Sequence, residues 1–550
     1  MFDDATRLPR GIRIDCDVAI AGAGAAGITI AAELASAGLS VIVLESGGMR
    51  FERQTQDLYR GTVDDPVHHG PLAQYRRRCF GGTTTVWGGR CSPFDPIDFE
   101  QRRWVPDSGW PVDHEEMRPY YERAHHYADV GEFTYDTTAA LPEGGRPLIP
   151  GLRSSTVYQD RIWRFSLPTN FGVKHYDCLK RSSVRVLLHA NVLKILSNDA
   201  GDTVEGLRVS SLAGNTFAVR ARQYVLAAGG LEVTRLLLLS NEVNPAGLGN
   251  DHDLVGRYYG SHVTGDLGEV TLTPRGGRVI WDYECTRDGI YAKRHLRISA
   301  DAQRQHQLLN FRCHLTHPPF SDPSHGHAVL SAAYLAKRLL AHQIPPEFSG
   351  EMAKAEYRQV SRHVRNLVCG PLSLAAFGTH WLLRRTLATR KYPSVSLPSR
   401  SDRYTVHFDA EQAPSAASRV TLGDDVDRFG LRRLRVQWRY SDLDVDSVAR
   451  CHRLIVDDFE RSGVGRCHVR PEAVPEMVQR SINVGSHHLG TTRMADSPRG
   501  GVVDRNGRLH SVRNLYISSP SIFCTSSFAN PLLTNTAFAI RLADHLRRRS

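Results

Sequence analysis

Apolar positions gather first in Asp17-Val18-Ala19-Ile20-Ala21, a run that stops at Gly22-Ala23-Gly24-Ala25-Ala26-Gly27. Beyond it Ile28, Ala31, Ala32, Leu34 and Ala35 recur at helical spacing up to Gly38, and a second apolar run from Ser40 to Leu44 ends at Glu45. This pattern predicts strand, turn, helix and strand within about 30 residues. Further on it predicts a helix from His114 to Asp129 and short strands at Val184 to Leu187, Val192 to Ile195 and Val204 to Val209. A buried strand at Tyr224 to Ala228 then meets a helix of Leu231 to Ser240 across Gly229-Gly230. The middle mixes strand signals (Val270 to Leu272, Tyr404 to Phe408, Arg419 to Leu422, Leu434 to Trp438) with helical stretches, and the chain ends in a helix from Asn535 to Arg547. No internal repeat is visible.

The glycine turn is the first candidate for chemistry. In a G-x-G-x-x-G turn, Gly22 permits the tight bend, Gly24 lets a pyrophosphate approach the backbone, and Gly27 lets the helix pack on the strand. A phosphate there meets the free N–H groups and dipole of a helix N-terminus. Glu45, ending the second strand, is placed to accept hydrogen bonds from a ribose hydroxyl, and its charge disfavours the extra phosphate of NADP. The turn alone does not separate FAD from NAD.

Composition narrows the class. The chain has 550 residues, 41% apolar and 23% charged, which excludes a disordered chain and a small disulfide scaffold. Ten scattered cysteines form no CxxC pair, so no metal site is expected and a reduced, cytoplasmic compartment fits them. Met1 to Gly11 carries Asp3, Asp4, Arg7 and Arg10 and is not a secretory signal, and no uncharged apolar run reaches about 18 residues. The formal charge of +11 is uneven: residues 351–391 hold eight cations against Glu351 and Glu356, beside Trp381, Leu382, Leu383 and Leu387. That segment reads as a peripheral membrane-surface helix, a lid over a charged substrate, or a solvated face packed on its apolar side. Nucleic-acid binding has no aromatic–basic module to support it.

The carboxyl-terminal region carries a more specific signal: Ser486-His487-His488-Leu489-Gly490-Thr491-Thr492-Arg493-Met494, Gly501-Val502-Val503-Asp504, Asn514-Leu515-Tyr516-Ile517 and Asn530-Pro531-Leu532-Leu533-Thr534. These resemble, in order, the H-x-x-G-T-x-R-M, G-V-V-D, N-L-Y-V and N-P-T-L-T motifs of the glucose–methanol–choline (GMC) family of flavin-dependent alcohol oxidoreductases. The loop Gly81-Gly82-Thr83-Thr84-Thr85-Val86-Trp87-Gly88-Gly89 resembles the family's flavin-covering loop. Gly109-Trp110-Pro111 and Pro119-Tyr120-Tyr121 resemble its pyranose-oxidase-like branch of bacterial sugar enzymes, which includes the paromamine 6′-oxidase type of aminoglycoside biosynthesis.

The resemblance implies an α/β, two-domain fold: a Rossmann-like FAD-binding domain at 12–260 and 480–550, with an inserted substrate domain of antiparallel sheet plus helices at 261–479. It implies His487 as general base and Asn530 as its partner in oxidising an alcohol of a sugar, glycoside or aminocyclitol, the hydride going to FAD. Cofactor contacts fall to Gly22, Gly24, Gly27, Glu45, Gly81, Gly82, Thr83, Val192, Pro531 and Leu532, and substrate contacts to Glu411, Trp87 and His488. Val86 stands where some relatives bond flavin to a histidine, so FAD is expected to be non-covalent. The electron acceptor stays open between oxygen and a quinone or cytochrome, as does a flavin-using lyase or isomerase without net redox.

Overall fold

Val18, Ala19, Ile20 and Ala21 are buried in a strand, Arg13–Ala21, that takes up the first apolar run. Successive strand side chains point to opposite faces, so a continuous apolar run specifies a strand covered on both sides. The computed structural model describes residues 1–339, 357–399, 402–481 and 486–549. In it this strand lies inside an eight-stranded sheet ordered Phe2–Asp4, Val184–Leu188, Val41–Leu44, Arg13–Ala21, Thr216–Leu226, Val204–Ser210 and Asn191–Ser197, with Leu515–Ile517 also paired to Thr216–Leu226. The first five run parallel, Val204–Ser210 pairs antiparallel with the fifth, and Asn191–Ser197 pairs antiparallel with Val204–Ser210. Helix Ala25–Leu34 packs on the last helix, Leu532–Arg549, which packs in turn on His114–Ala128.

A second, antiparallel sheet is ordered Gly465–Cys467, His262–Leu272, Arg403–Glu411, Phe311–Thr316, Tyr291–Ile298, Val157–Phe165 and Arg90–Cys91. Helix Asp442–Ser462 closes it. Ser441 and Asp444 form its capping box, and Val445, Val448, Cys451, Ile455 and Phe459 enter the core that holds Phe311, Val406 and Phe408. The spacing is that of one helical face.

Two differences from the sequence expectation concern domain bounds. Phe2–Asp4 lies in the first sheet, ahead of the expected start at residue 12. Arg90–Cys91 and Val157–Phe165 belong to the second sheet although they fall within 12–260. Charges hid the longer of them: Arg164 is buried through carbonyls of Val130 and Thr134 and an ion pair with Asp288, so a core position carries a guanidinium. The second sheet is thus assembled from both sides of residue 260.

The basic segment forms helix Tyr357–Cys369, then Pro371–Trp381 continuing as π-helical turns over Leu382–Leu387. Residues 351–356 lie outside the described residues. Among the described residues no helix is long and apolar enough to cross a membrane.

Candidate active site

Both sheets contribute residues to one cavity of about 960 Å³, at the upper end of the roughly 300–1,000 Å³ usual for ligand sites. The glycine turn forms part of its wall. Gly22 has φ +107, and a Cβ there would lie 2.7 Å from the Ala227 carbonyl oxygen. A Cβ at Gly27 would lie 1.9 Å from the Gly22 carbonyl oxygen, whereas one at Gly24 would meet no protein atom within 4 Å. The outer two glycines are therefore required by the protein's own packing. The middle one opens to the cavity. No side chain caps the helix that starts at Ala25, so its first N–H groups remain available to an anion.

Glu45 is buried beside this turn. Its Oε2 accepts from Ala23 N and its Oε1 from Gly47 N, both at 2.9 Å. Burial raises its carboxyl above the ordinary value against the pull of those two hydrogen bonds and of Arg78. Gly81 and Gly82 are left-handed, and a Cβ at Gly82 would sit 2.9 Å from Gly24 Cα, so the Gly81–Thr85 loop lies directly against the turn. Thr83, Val86 and Trp87 line the cavity, Trp87 fixed by donating from Nε1 to Thr169 O at 2.9 Å. Val192, Pro531 and Leu532 line it as well, with helix Leu532–Arg549 beginning at its edge. Glu232 and Arg235, which interrupt the apolar run before Ser240, also face it. The Glu232 carboxylate holds Arg76 at 3.3 Å and Arg78 at 2.5 Å, and buried Arg78 Nε is without a partner.

The second sheet presents the opposite wall by simple alternation. In Val406-His407-Phe408-Asp409-Ala410 the odd positions face the cavity and the even ones enter the core; His314 and Thr316 do the same on the neighbouring strand, and His262 and Thr264 on the next. Asp409 takes both terminal nitrogens of Arg90, at 2.9 and 3.0 Å. Burial works to raise the Asp409 carboxyl, but the Arg90 charge and hydrogen bonds outweigh it and hold the group below the ordinary range.

His487 and Asn530 meet at this junction. Arg90 Nε donates to Asn530 Oδ1 at 2.7 Å, and Asn530 Nδ2 lies 3.2 Å from His487 Nε2. A guanidinium has only donors, so the amide oxygen must be the end that faces Arg90. The amide NH₂ then faces His487, which makes Nε2 the acceptor and places the imidazole proton on Nδ1. His487 is half-buried, its ring 4.7 Å from that of His262 in an edge-to-face contact. Burial, with smaller contributions from His262 and Arg90, holds its pKa well below 6.5 and keeps it neutral. His262 is neutral too, pushed down to about 4 by burial, and its Nδ1 donates to Ser527 O at 2.8 Å.

His488 lines the cavity, but its Nδ1 is bonded to Tyr259 OH at 2.7 Å, and that hydroxyl is 2.7 Å from His69 Nε2. Glu411 is the clear correction. It is fully buried away from the cavity, clamped by Arg102 Nη1 at 2.8 Å and Nη2 at 2.5 Å, with Asn310 N at 3.0 Å. An acid so paired, with no exposed surface and off the cavity wall, is out of a substrate's reach. On the same strand the acid that faces the cavity is Asp409, one step of alternation earlier.

The donor set suits a flavin dinucleotide. An open glycine position, an uncapped helix N-terminus, a buried carboxylate at the second strand end and an unpartnered guanidinium Nε share one large cavity. A family model described as FAD dependent oxidoreductase matches residues 17–305, and one described as GMC oxidoreductase matches residues 414–539. Among curated relatives, paromamine 6′-oxidase of Streptomyces fradiae is 25% identical, over 96% of this chain and 90% of its own. Fructose dehydrogenase large subunit of Gluconobacter japonicus is 22% identical over 96% and 97%, and 2-methyl-1,2-propanediol dehydrogenase of Mycolicibacterium austroafricanum 21% over 97% and 95%. Pyridoxine 4-oxidase from Mesorbium loti superposes with a TM-score of 0.54 at 16% identity, covering 96% of this chain and 99% of that one, and so shares its fold. With more than half its length matched by the first model and residues 414–539 by the second, this chain belongs to the GMC oxidoreductases and is an FAD-dependent alcohol oxidoreductase.

Proposed function

We propose that the enzyme oxidises a primary or secondary alcohol group of a sugar, glycoside or aminocyclitol to a carbonyl, with His487 as general base and Asn530 as hydrogen-bond donor. The observation that carries this reading is the amide of Asn530. Held by Arg90 at Oδ1, it turns Nδ2 toward His487 Nε2 and fixes that nitrogen as a free base. A substrate hydroxyl entering between the two donates its proton to Nε2 and accepts from Nδ2. As the hydroxyl proton leaves, Nδ2 stabilises the alkoxide that develops. FAD, when bound, supplies the acceptor for the carbinol hydride. Gly22, Gly24, Glu45, Gly82, Thr83, Val192, Pro531 and Leu532, all on the cavity wall, would hold it without a covalent bond, since Val86 offers no nucleophile, while Gly27 and Gly81 pack the turn and loop behind them. The Thr264, Thr316, His314 and His407 wall supports a substrate with several hydroxyls over an apolar alcohol, as do relatives named for paromamine and fructose.

The test is a panel of sugars, aminoglycosides and simple diols mixed anaerobically with the purified enzyme, following bleaching of the flavin. Polyhydroxylated substrates should bleach it fastest, and admitting air then sorts oxygen from other acceptors. His487→Ala should keep its FAD and reduce it about 10²-fold more slowly or worse. Equal bleaching by wild type and variant would remove His487 from the mechanism.

A further inference from the structure

Helix Pro371–Trp381 and the turns Leu382–Leu387 contain no buried residue, although Leu372, Leu374, Ala375, Ala376, Phe377, Trp381, Leu382, Leu383 and Leu387 make them mostly apolar. A helix of that composition is normally buried. Here Leu372 is 84% exposed and Leu387 67%, with Val364 and Val368 on the preceding helix also open to water. Ser373, Leu374, Phe377 and Trp381 are partly covered, leaving Leu372, Ala375, Ala376, Thr379, Leu382 and Leu383 as an exposed stripe at helical spacing. Contiguous apolar exposure of this kind marks an interaction surface.

Charge identifies the partner. From 357 to 401 the chain has eight cations and no Asp or Glu. Among the described residues no carboxylate lies within ion-pair distance of Arg362, Arg365 or Arg384. A second copy of the chain would set the same cations against themselves, which disfavours self-association through this face. An anionic lipid surface satisfies both halves of the pattern: headgroups for the cations, and the acyl boundary for the leucines and for Trp381, whose ring belongs at such an interface. We propose that residues 357–387 dock the enzyme on an anionic membrane surface. The same segment is tied to the active site. Arg385 Nη1 donates to the carbonyls of Tyr392 and Pro393 at 2.5 and 2.9 Å, and Pro393 and Ser394 line the cavity. Docking therefore brings one wall of the cavity to the membrane.

Co-sedimentation of the FAD-loaded, full-length enzyme with vesicles tests this without turnover, so it stands or falls apart from the substrate assignment. Vesicles of phosphatidylglycerol with phosphatidylcholine should pellet the protein, and pure phosphatidylcholine should not. Leu372→Glu with Leu383→Glu, and separately Arg362→Glu with Arg365→Glu, should each lower the bound fraction by about tenfold or more. Both variants should keep wild-type oxidation of a soluble substrate with a soluble dye, which shows that they fold. Wild type remaining in the supernatant with anionic vesicles overturns the proposal, as does undiminished pelleting of either variant. A dimeric wild type that Leu372→Glu converts to monomer also overturns it, in favour of a second copy as the occupant.

Discussion

At the scale of single residues the site turns on which atoms can donate. Asn530 and His487 sit within recognisable motifs, and both were legible in the chain. Arg90 and Asp409 were not. They lie 319 positions apart, one at the end of a glycine-rich loop and one on a strand of the second sheet, and only the fold brings them together. The role we assign Arg90 is positioning: it aims the Asn530 amide, and its charge helps keep His487 neutral. Removing that charge removes one cause of the lowered His487 pKa, so the value must rise. For Arg90→Gln we expect flavin reduction to slow by about tenfold, the scale of one charge-assisted hydrogen bond, and the acid limb of its pH profile to move upward. In the wild type that limb should lie below the ordinary histidine value of 6.5. Arg90→Lys retains a cation and should shift the limb less. A merely structural role would lower the rate with no change in the profile, and that result would remove Arg90 from the proton-transfer argument.

At the scale of elements, the strand–turn–helix beginning at Arg13 was readable because each glycine answers to local sterics. The second sheet was less so, since Arg90–Cys91 is two residues long and Val157–Phe165 mixes Asp160, Arg161 and Arg164 into its pattern. Glu411 was misread for a related reason. It has the same parity as Asp409, and nothing along the strand reveals that Arg102 covers one position and leaves the other open. The glycines themselves give a paired prediction. A methyl at Gly27 would sit 1.9 Å from the Gly22 carbonyl oxygen, so Gly27→Ala should displace the helix, lower the melting temperature of the apoprotein and abolish FAD retention. At Gly24 a Cβ meets no protein atom, so Gly24→Val should leave the apoprotein's melting temperature within a degree or two while weakening FAD binding about 10²-fold or more. Thermal melts and FAD titration of the two apoproteins check this. Similar losses of stability in both would mean that Gly24 does not face the cofactor.

At the scale of the molecule, the two sheets hold many histidines that are buried or half-buried and kept neutral. His125, His262 and His452 are each pushed down to about 4 by burial, and His295, His314, His487 and His488 are driven well below 6.5, in each case chiefly by burial. In the unfolded chain these groups take protons near 6.5, so between that pH and their folded values the unfolded state binds more protons. Stability must therefore fall as pH drops through that window. A shift from 6.5 to about 4 corresponds to roughly 3 kcal/mol per histidine once the window is fully crossed. Three carboxyls act in the opposite sense. Asp98, raised to about 7, Asp444, raised to about 6, and Glu45, raised as well, all chiefly by burial, are easier to keep folded when protonated. They offset only part of the loss, because more histidines titrate than carboxyls. The melting temperature should accordingly drop steeply from pH 6.5 toward pH 4, before most surface carboxylates are protonated. His452 isolates the effect, because burial is the sole cause of its shift and its Nδ1 has no partner. His452→Leu should fold normally at neutral pH and lose less stability than wild type across that window. Parallel melting curves for the two proteins over the same range would show that the acid sensitivity originates elsewhere than in the buried imidazoles.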